Sequence, residues 1–348
     1  MQSWKYTEDY HMNNFDYFKP KGIEAARELI VSIPNAAFVA GGTNLIDLWK
    51  YNLTNPSALI DLNHTGNNIT VQEIDSGVRL SAFATNASTA YHPLIENRYP
   101  LLAKAILAGA SGQIRNMATN GGNLLQRTRC YYFYDPDSPC NKRNPGSGCP
   151  AIDGYNRMHA ILGTSKHCIA VFPSDMCVAL AALDARVNIA GQKSSRCVPF
   201  TDFHRLPEDT PELDNTLGHG EIITSIDLPH KGFASNYSYL KIRDRNSYAF
   251  ALVSVATGLE LEGSIIKDAR IALGGVAHKP WRIREAEDFL REKQATEKTF
   301  ESAAAIILSG AQGFKFNKFK IELAKRAIVR NAAMALNPSI QKPGAQPS

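Results

Sequence analysis

Residues 126–170 constrain what this chain can fold into more than any other part of the sequence. Four of the six cysteines lie in this segment: Cys130, Cys140, Cys149 and Cys168. The segment is rich in Gly, Pro, Asp and Asn, and its apolar residues follow neither the helical nor the strand period. Aperiodic loops of this length inside a compact domain are usually functional. We therefore expect a bound group or covalent cross-links, rather than a hydrophobic core, to order it.

The spacing of these cysteines leaves the kind of cross-link open. Structural zinc sites usually contain close Cys-x-x-Cys pairs, and ferredoxin-type iron–sulfur runs need the same short spacing. The intervals here are nine, eight and eighteen residues. The N-terminus has no basic region followed by an apolar run, so a secreted, disulfide-bonded protein is disfavoured. A metal ion or iron–sulfur cluster is favoured, while disulfides and four unrelated thiols stay open.

Other potential ligands have ordinary roles as well. Cys177 lies on the apolar face of a predicted helix and Cys197 in a strand-like stretch, and both are expected to be inert. His159 and His167 lie among the four cysteines. They could be spare ligands, but solvated or hydrogen-bonded side chains are the more common alternative.

Length and charge exclude several classes of protein. A chain of 348 residues is expected to form two or three domains. The net charge of +5 is spread along the chain without a basic run, which argues against binding nucleic acid. No stretch of about eighteen apolar residues occurs, so insertion into a membrane is not expected.

The pattern of apolar residues predicts an alternating α/β part followed by a different domain. Helices are predicted at 22–32, at 43–51 with Thr43 as the cap, over 86–109, and at 173–185. Short strands are predicted at 36–40, 58–62, 68–74, 77–83, 186–190 and 221–229. Beyond residue 230, long antiparallel strands are predicted at 235–243, 248–263 and 266–275, and then helices at 284–292, 297–309 and 316–336.

Two glycine pairs could hold an anion. "FVAGGTNL" (38–45) places two glycines between a predicted strand and a predicted helix, and "ATNGGNLL" (118–125) repeats this chemistry. Glycine permits a close approach of the backbone, and the free N–H groups at a helix start favour a phosphate. Two such loops could grip one dinucleotide diphosphate. Two unrelated tight turns remain the alternative.

Several longer motifs give the chain a family resemblance. They are "FVAGGTNLIDLWK", "SGQIRNMATNGGNLLQRTRC", "PCNKRNPGSGC", "PSDM", "KIRDRNSYAFALVSVA" and "ALGGVAHKPWR". Together they resemble the FAD-binding subunit of the molybdenum hydroxylases, the xanthine dehydrogenase and aldehyde oxidoreductase family. The cysteine segment is similar to the subset whose FAD subunit carries its own 4Fe–4S cluster, as in the bacterial periplasmic aldehyde oxidoreductase. The resemblance covers roughly residues 5–335.

The resemblance implies an α+β fold with a two-lobed, vanillyl-alcohol-oxidase-like (PCMH-type) FAD-binding domain and a C-terminal domain of antiparallel sheet plus helices. The implied lobes span residues 1–60 and 61–230, the second with a 4Fe–4S insert at 126–170. A domain like that of the CO dehydrogenase flavoprotein at 231–336 and a mobile tail at 337–348 follow.

The implied cofactor sites fall on residues that match the family motifs. The FAD positions are Phe38, Val39, Ala40, Gly41, Gly42, Thr43, Asn44, Leu45, Gly109, Ala110, Thr119, Asn120, Gly121, Gly122, Asn123, Asp175, Ile223 and Lys241. The implied cluster ligands are Cys130, Cys140, Cys149 and Cys168. No catalytic side chain is implied.

The resemblance further implies an electron-transfer subunit of an oxidoreductase. A large partner subunit with a molybdenum cofactor oxidises the substrate, and a small subunit with 2Fe–2S clusters passes electrons to FAD and on to an external acceptor. The assembly is a heterotrimer or its dimer. The chain has no export signal of its own, so it is expected in the cytoplasm as synthesised, with co-export to the periplasm on a partner as the other option. The rivals are a zinc-stapled binding module and a stand-alone flavoprotein dehydrogenase.

Overall fold

The computed structural model describes residues 14–66, 69–192 and 194–338, and these ranges contain three β-sheets. The first residue of the predicted strand 68–74, residue 68, lies outside the described residues. The predicted mobile tail lies outside the described residues from 339 onward. Within the described residues, no helix combines the length and hydrophobicity needed to cross a bilayer.

The first sheet consists of three parallel strands in the order β1-β3-β2. Its strands and the helices that connect them are β1 (Asp16–Phe18), α1 (Ile23–Ser32), β2 (Ala36–Val39), α2 (Leu45–Lys50) and β3 (Ala58–Asp61). Every residue of the central strand β3 is buried, as expected for a parallel strand covered on both faces. Helices join the strands because parallel neighbours need a crossover connection.

The prediction of Thr43 as a helix cap was wrong. Helix α2 begins at Leu45, and Asn44 occupies the cap position without a side-chain hydrogen bond to the helix. The side-chain oxygen of Asn44 instead accepts a hydrogen bond from the backbone N–H of Arg127, at 2.7 Å. A tight turn with φ of 68° at Gly42 delays the start of the helix.

The second sheet is antiparallel, in the order β4-β5-β8-β6-β7. Its strands are β4 (Val71–Ile74), β5 (Gly77–Ser81), β6 (Arg186–Ala190), β7 (Ser195–Pro199) and β8 (Ile222–Pro229). Between β5 and β6 lie α3 (Asn86–Ala90), α4 (Pro93–Arg98), α5 (Pro100–Ala108), α6 (Gly112–Met117), α7 (Asn120–Leu124), α8 (Tyr131–Tyr134) and α9 (Asp175–Ala182), and α10 (Phe200–Phe203) follows β7.

The predicted helix over 86–109 is three helices, which corrects the prediction. Pro93 and Pro100 each occupy the first turn of a new helix. Proline lacks the N–H that a helix interior needs but is well accommodated at a helix start, so each proline ends one helix and begins the next. The second glycine loop, 118–125, is partly helical, because it contains α7.

The third sheet is antiparallel, in the order β12-β11-β10-β9, and confirms the predicted change of architecture beyond residue 230. Its elements are β9 (Asn236–Ile242), β10 (Val253–Glu262), β11 (Ile265–Gly274), β12 (Trp281–Arg282), α11 (Arg284–Leu290), α12 (Glu297–Ile307) and α13 (Phe319–Leu336). The strand predicted from residue 248 begins only at Val253. Tyr248 has a φ of 49°, which is incompatible with an extended strand.

Helix α9 lies at the centre of the molecule. All eight of its residues are buried. Its apolar side chains belong to one core cluster with residues of the second sheet and with Tyr239, Ala256 and Ala272 of the third sheet. The N-terminal end of α9, at Ser174 and Asp175, is therefore fixed from several sides, and it forms part of the candidate site described below.

Candidate flavin and cluster sites

The two glycine loops lie against each other. A Cβ added to Gly41 would stand 1.9 Å from the carbonyl oxygen of Met117 and 3.0 Å from the Cα of Ala118. These two residues immediately precede the second loop. The first loop can approach the second this closely only because position 41 has no side chain.

The second loop, Thr119–Asn123, is anchored on strand β5 and its extension. The backbone N–H of Gly121 donates to the carbonyl of Ala82 at 2.8 Å. The hydroxyl of Thr119 accepts the N–H of Gly122 at 3.2 Å and so caps α7. Gly122 itself is exposed, and the only atom within 4 Å of an added Cβ is that hydroxyl oxygen, at 2.9 Å. The loop therefore presents bare backbone at Gly122 on a rigid support.

Asn120 has an internal structural role. Its side chain is completely buried and donates to the carbonyl of Ser81 at 2.9 Å and to the hydroxyl of Thr89 at 2.8 Å. It also accepts from Asn86 at 3.0 Å. The side chain of Asn120 thus holds the loop in place.

Asp175 is the centre of a second group of predicted residues. Its carboxylate accepts hydrogen bonds from the Lys241 ammonium at 2.7 Å and from the Tyr239 hydroxyl at 2.6 Å. Lys241 also donates to the carbonyl of Ala108 at 3.1 Å, and a Cβ on Gly109 would lie 3.2 Å from the Asp175 carboxylate. The structure therefore brings together Gly109, Asp175 and Lys241, which are far apart in the sequence.

Tyr239 was missed by the sequence reasoning. Burial raises the pKa of the Tyr239 hydroxyl well above its usual value, and the negative charge of the neighbouring Asp175 raises it further. This hydroxyl therefore stays protonated and donates a hydrogen bond. Tyr239 and Lys241 lie two residues apart on β9, and alternate residues of a strand share one face. This alternation was the signal in the sequence from which Tyr239 could have been found.

The remaining predicted positions connect these groups. The hydroxyl of Ser174 donates to the side-chain oxygen of Asn123 at 2.5 Å, which ties the second loop to the start of α9. Ile223 is buried on β8, and the carbonyl of its neighbour Thr224 accepts the N–H of Ala82 at 3.0 Å. Ala110 is exposed and has a φ of 51°, an uncommon value for a residue with a side chain.

A cavity of about 500 Å³, which includes space open to solvent, begins at Asp175. Its walls include Thr128, Cys130, His159, Phe172, Ser174 and Asp175. Neither glycine loop belongs to these walls. The cavity thus connects the start of α9 with the first of the four cysteines.

The four predicted cluster cysteines line one further cavity of about 280 Å³, which also includes space open to solvent. Cys140 and Cys168 are buried, Cys130 and Cys149 are half-buried, and none of the four is in a disulfide. The disulfide alternative is therefore wrong for this structure. Cys130 lines both cavities. By contrast, Cys177 lies in the core within α9 and Cys197 lies exposed on β7.

The cysteine cavity does not have the geometry of a single-ion site. Within the described ranges, no three His, Cys, Asp or Glu side chains converge closely enough to hold one metal ion. A four-iron cluster is larger than one ion and offers a separate iron to each thiolate, so its ligands need not converge on one point. Four thiols around one cavity fit such a cluster better than they fit zinc, which usually binds within a single tetrahedron.

The thiols differ in acidity. Burial raises the pKa of Cys130 to about 12. A hydrogen bond from Cys168 lowers the pKa of Cys149 to about 7, and the same hydrogen bond raises the pKa of Cys168. Iron binds thiolates, so ligation would release protons from these buried groups.

Two buried histidines contact the cysteine sulfurs. The Nε2 atom of His159 lies 3.1 Å from the sulfur of Cys130, and Nε2 of His278 lies 3.3 Å from the sulfur of Cys168. Burial lowers the pKa of His159 to about 4 and that of His278 well below its usual value. His167 instead lies near the surface, 3.2 Å from the Asp209 carboxylate. His278 was missed, and its position 110 residues beyond Cys168 gave no local signal.

The cysteine segment contains more buried apolar residues than the sequence reasoning assumed, and that expectation was wrong. Ala151, Ala160, Ile161, Leu162, Ile169 and Ala170 are each at most 2% exposed. The N–H groups of Ile161 and Leu162 donate to the carbonyl of Val276, at 2.9 and 3.0 Å. The second half of the segment is thus packed against the domain of the third sheet.

Comparisons with known proteins identify the family. Residues 13–231 match the model of the FAD binding domain in molybdopterin dehydrogenase, and residues 238–315 match that of the CO dehydrogenase flavoprotein C-terminal domain. The chain is 46% identical over 305 residues to the aldehyde oxidoreductase FAD-binding subunit PaoB of Escherichia coli (strain K12), covering 87% of this chain and 92% of that protein.

More distant relatives share the whole architecture. The carbon monoxide dehydrogenase medium chain of Afipia carboxidovorans is 25% identical over 333 residues, covering 93% of this chain and 99% of its own. The solved structure of quinoline 2-oxidoreductase from Pseudomonas putida 86 superposes with a TM-score of 0.72 at 23% identity, covering 95% of this chain and 99% of that chain. The solved structure of a reconstituted CO dehydrogenase from Oligotropha carboxidovorans superposes with a TM-score of 0.73 at 22% identity, covering 93% of this chain and 98% of that chain. These structures confirm the predicted α+β fold.

The family model covers more than half of the chain, and the sequence identity to a named FAD-binding subunit extends over most of it. The chain therefore belongs to the FAD-binding subunits of the molybdenum hydroxylases, a family of oxidoreductases.

Proposed function

We propose that this subunit holds FAD and a 4Fe–4S cluster and passes electrons from partner subunits to an external acceptor. One observation carries the proposal: four free cysteines line a single cavity, and one of them, Cys130, also lines the cavity that begins at Asp175. A thiolate ligand would thus lie beside the space that reaches toward the proposed flavin site.

The residues present fit FAD. At Gly41 the first loop, Phe38–Leu45, lies against the residues that lead directly into the second loop, Thr119–Asn123, and Gly122 presents backbone without a side chain. Such backbone suits the close approach of a diphosphate. Gly109, Ala110, Asp175, Ile223 and Lys241 complete the proposed site. When bound, FAD supplies a junction between one-electron and two-electron transfer.

Lys241 and Asp175 act within this site as a fixed polar pair. Both are buried, and each makes one further hydrogen bond: Asp175 accepts from the hydroxyl of Tyr239, and Lys241 donates to the carbonyl of Ala108. The pair therefore holds its geometry without a ligand and presents a rigid edge to the cofactor. The role of this chain is to position and insulate its cofactors, and we assign it no catalytic side chain.

The cysteine cavity fits a four-iron cluster. Its four thiols are free, and two of them, those of Cys140 and Cys168, are buried. Nearby backbone and side-chain groups fix the segment, since Asn141 accepts the N–H of Gly148 at 2.8 Å and the hydroxyl of Ser147 accepts the N–H of Cys140 at 3.0 Å. The ligands would be Cys130, Cys140, Cys149 and Cys168.

The names of the relatives support the proposed partners. One relative is the FAD-binding subunit of an aldehyde oxidoreductase and another is a medium chain, so each is one part of a larger assembly. We propose that this chain assembles with a large molybdenum-cofactor subunit and a small 2Fe–2S subunit, and that the assembly oxidises aldehydes. The same proposal divides the chain into domains at residues 1–60, 61–230 and 231–336. It also places synthesis of the chain in the cytoplasm, with carriage to the periplasm by a partner as the alternative final location.

Cofactor content tests the proposal directly. The full-length chain, purified without oxygen, is assayed for FAD, iron, zinc and acid-labile sulfide. We expect about one FAD, about four iron atoms and about four sulfides per chain. Zinc without sulfide would support a zinc-stapled module instead, and FAD without iron would support a flavoprotein dehydrogenase that does not use its cysteines.

A further inference from the structure

We propose that His159 and His278 donate hydrogen bonds to the sulfurs of Cys130 and Cys168 and thereby raise the reduction potential of the cluster. The inference rests on the proposed 4Fe–4S site. It assigns these histidines to tuning the cluster rather than to binding iron.

One imidazole contacts the first of the four cysteines in the sequence, and the other contacts the last. Nε2 of His159 lies 3.1 Å from the sulfur of Cys130, the first of the four cysteines, and Nε2 of His278 lies 3.3 Å from the sulfur of Cys168, the last. A cysteine that ligates iron is a thiolate and has no proton to donate. Each imidazole must therefore carry its proton on Nε2 and donate it to the sulfur.

The other ring nitrogen of each histidine supports this assignment. Nδ1 of His159 and Nδ1 of His278 are buried and have no hydrogen-bond partner among the described residues. The two side chains are 2% and 7% exposed. The contact with sulfur is thus the polar interaction that fixes the orientation of each ring.

The backbone of both histidines is held in place independently of the sulfur contacts. The carbonyl of His159 accepts from the Lys320 ammonium at 2.8 Å and from the side chain of Asn317 at 3.2 Å. His278 follows Ala277, whose carbonyl accepts the N–H of Phe172 at 3.0 Å. The two donors are therefore positioned in advance by the C-terminal domain, on which the cysteine segment is packed.

The expected effect follows from charge. Reduction adds a negative charge to the cluster and its thiolates, and an N–H dipole that points at a ligand sulfur stabilises this added charge. Removing a donor should make the cluster harder to reduce. Because the two histidines contact different sulfurs, their effects should accumulate.

A set of matched variants tests this assignment. His159→Leu and His278→Leu remove the donor, whereas His159→Gln and His278→Gln keep an N–H near the position of Nε2. His204→Leu is the control, because His204 is equally buried but its Nε2 contacts the carbonyl of Leu124, at 2.8 Å, and no cysteine. Iron, sulfide and the reduction potential, followed by EPR during a redox titration, are measured for the full-length chain.

We expect every variant to keep its iron and sulfide. The potential should shift downward in both leucine variants, shift further in the double variant, lie close to the wild-type value in the glutamine variants, and stay unchanged in His204→Leu. Unchanged potentials in both leucine variants would overturn the inference. Loss of iron from both the leucine and the glutamine variant of one histidine would overturn it too, because that imidazole would then be needed for binding. A wild-type chain without iron and sulfide would instead refute the cluster itself.

Discussion

The proposed flavin site and the cysteine segment solve the same problem, the positioning of a cofactor, in different ways. The first flavin loop joins strand β2 to helix α2, and the second overlaps helix α7, where backbone hydrogen bonds such as that from Gly121 to Ala82 fix it. The cysteine segment contains one helix, α8, of four residues. Its order comes from side-chain bonds and from packing on the third sheet, so it should depend far more on the group it binds.

The cysteine segment is itself not uniform. Between Cys130 and Cys149 it is held by polar contacts, including the bond from the side chain of Asn141 to the carbonyl of His167 at 2.8 Å, and by one small apolar cluster in which Phe133 and Cys140 pack against Leu48. Beyond residue 150 it buries apolar side chains against the third sheet. The contrast with the flavin site is therefore sharpest in the first half, and loss of the cluster should loosen that half alone.

The largest expected effect is the loss of the cluster. In Cys140→Ser or Cys149→Ser, about four iron atoms per chain should be lost, because serine is a poor ligand for iron. Limited proteolysis should then cut between residues 130 and 150, while residues 151–172 stay protected by their packing. FAD should be retained at least in part. Cuts spread equally over both halves would contradict this picture.

The next largest effect concerns the buried pair at the flavin site. Lys241→Met leaves the carboxylate of Asp175, whose side chain is 8% exposed, without its cation. Breaking such a pair costs about 3–5 kcal/mol, so the midpoint of thermal unfolding should fall and FAD should be lost. Lys231→Met is the control, because Lys231 is 47% exposed and its ion pairs should contribute about 1 kcal/mol or less. Equal effects of the two variants would show that the buried pair has no special role.

Smaller effects are expected from side chains added in the glycine loops. Gly42 has a φ of 68°, and a Cβ on Gly122 would lie 2.9 Å from the Thr119 hydroxyl. In Gly42→Val and Gly122→Val we expect strain of about 1–3 kcal/mol and an affinity for FAD about tenfold lower or worse. Absorbance of the flavin at equilibrium with added FAD measures this. Gly112→Val, where nothing lies within 4 Å, should bind FAD normally.

The smallest effect is expected for Cys197, an exposed cysteine that lies outside both sites. Cys197 is exposed on β7, so Cys197→Ser should change the free energy of unfolding by about 0.5 kcal/mol or less. Iron, sulfide and FAD should match the wild type. A loss of iron here would mean that the ligand set has been assigned wrongly.

The residues of both proposed sites could be selected from the sequence because they carry strong local signals. Glycine pairs after a strand and four clustered cysteines stand out without any knowledge of the fold. The contacts of His278 and Tyr239 could not be predicted in the same way, since they depend on which strands and segments become neighbours. Pairing of residue 277 with residue 172 brings His278 to the cysteines, and this pairing is a tertiary event.

Secondary structure was predicted best where apolar periodicity was strong, as in α1 and β8. It failed where another rule dominated. Pro93 and Pro100 divide a helical stretch, and the rule for proline could have been applied to the sequence alone. Helix α7 contains two glycines, which disfavour helices, and forms because the buried Asn120 and the Thr119 cap hold it.

The central claim is that this chain holds two cofactors in two separately built sites. The most direct test measures FAD and iron together, per chain, in Cys140→Ser and in Gly42→Val. We predict opposite losses: Cys140→Ser loses its iron and keeps at least part of its flavin, and Gly42→Val retains less flavin and keeps its iron. Loss of both cofactors in both variants, or retention of full iron in Cys140→Ser, would contradict the account.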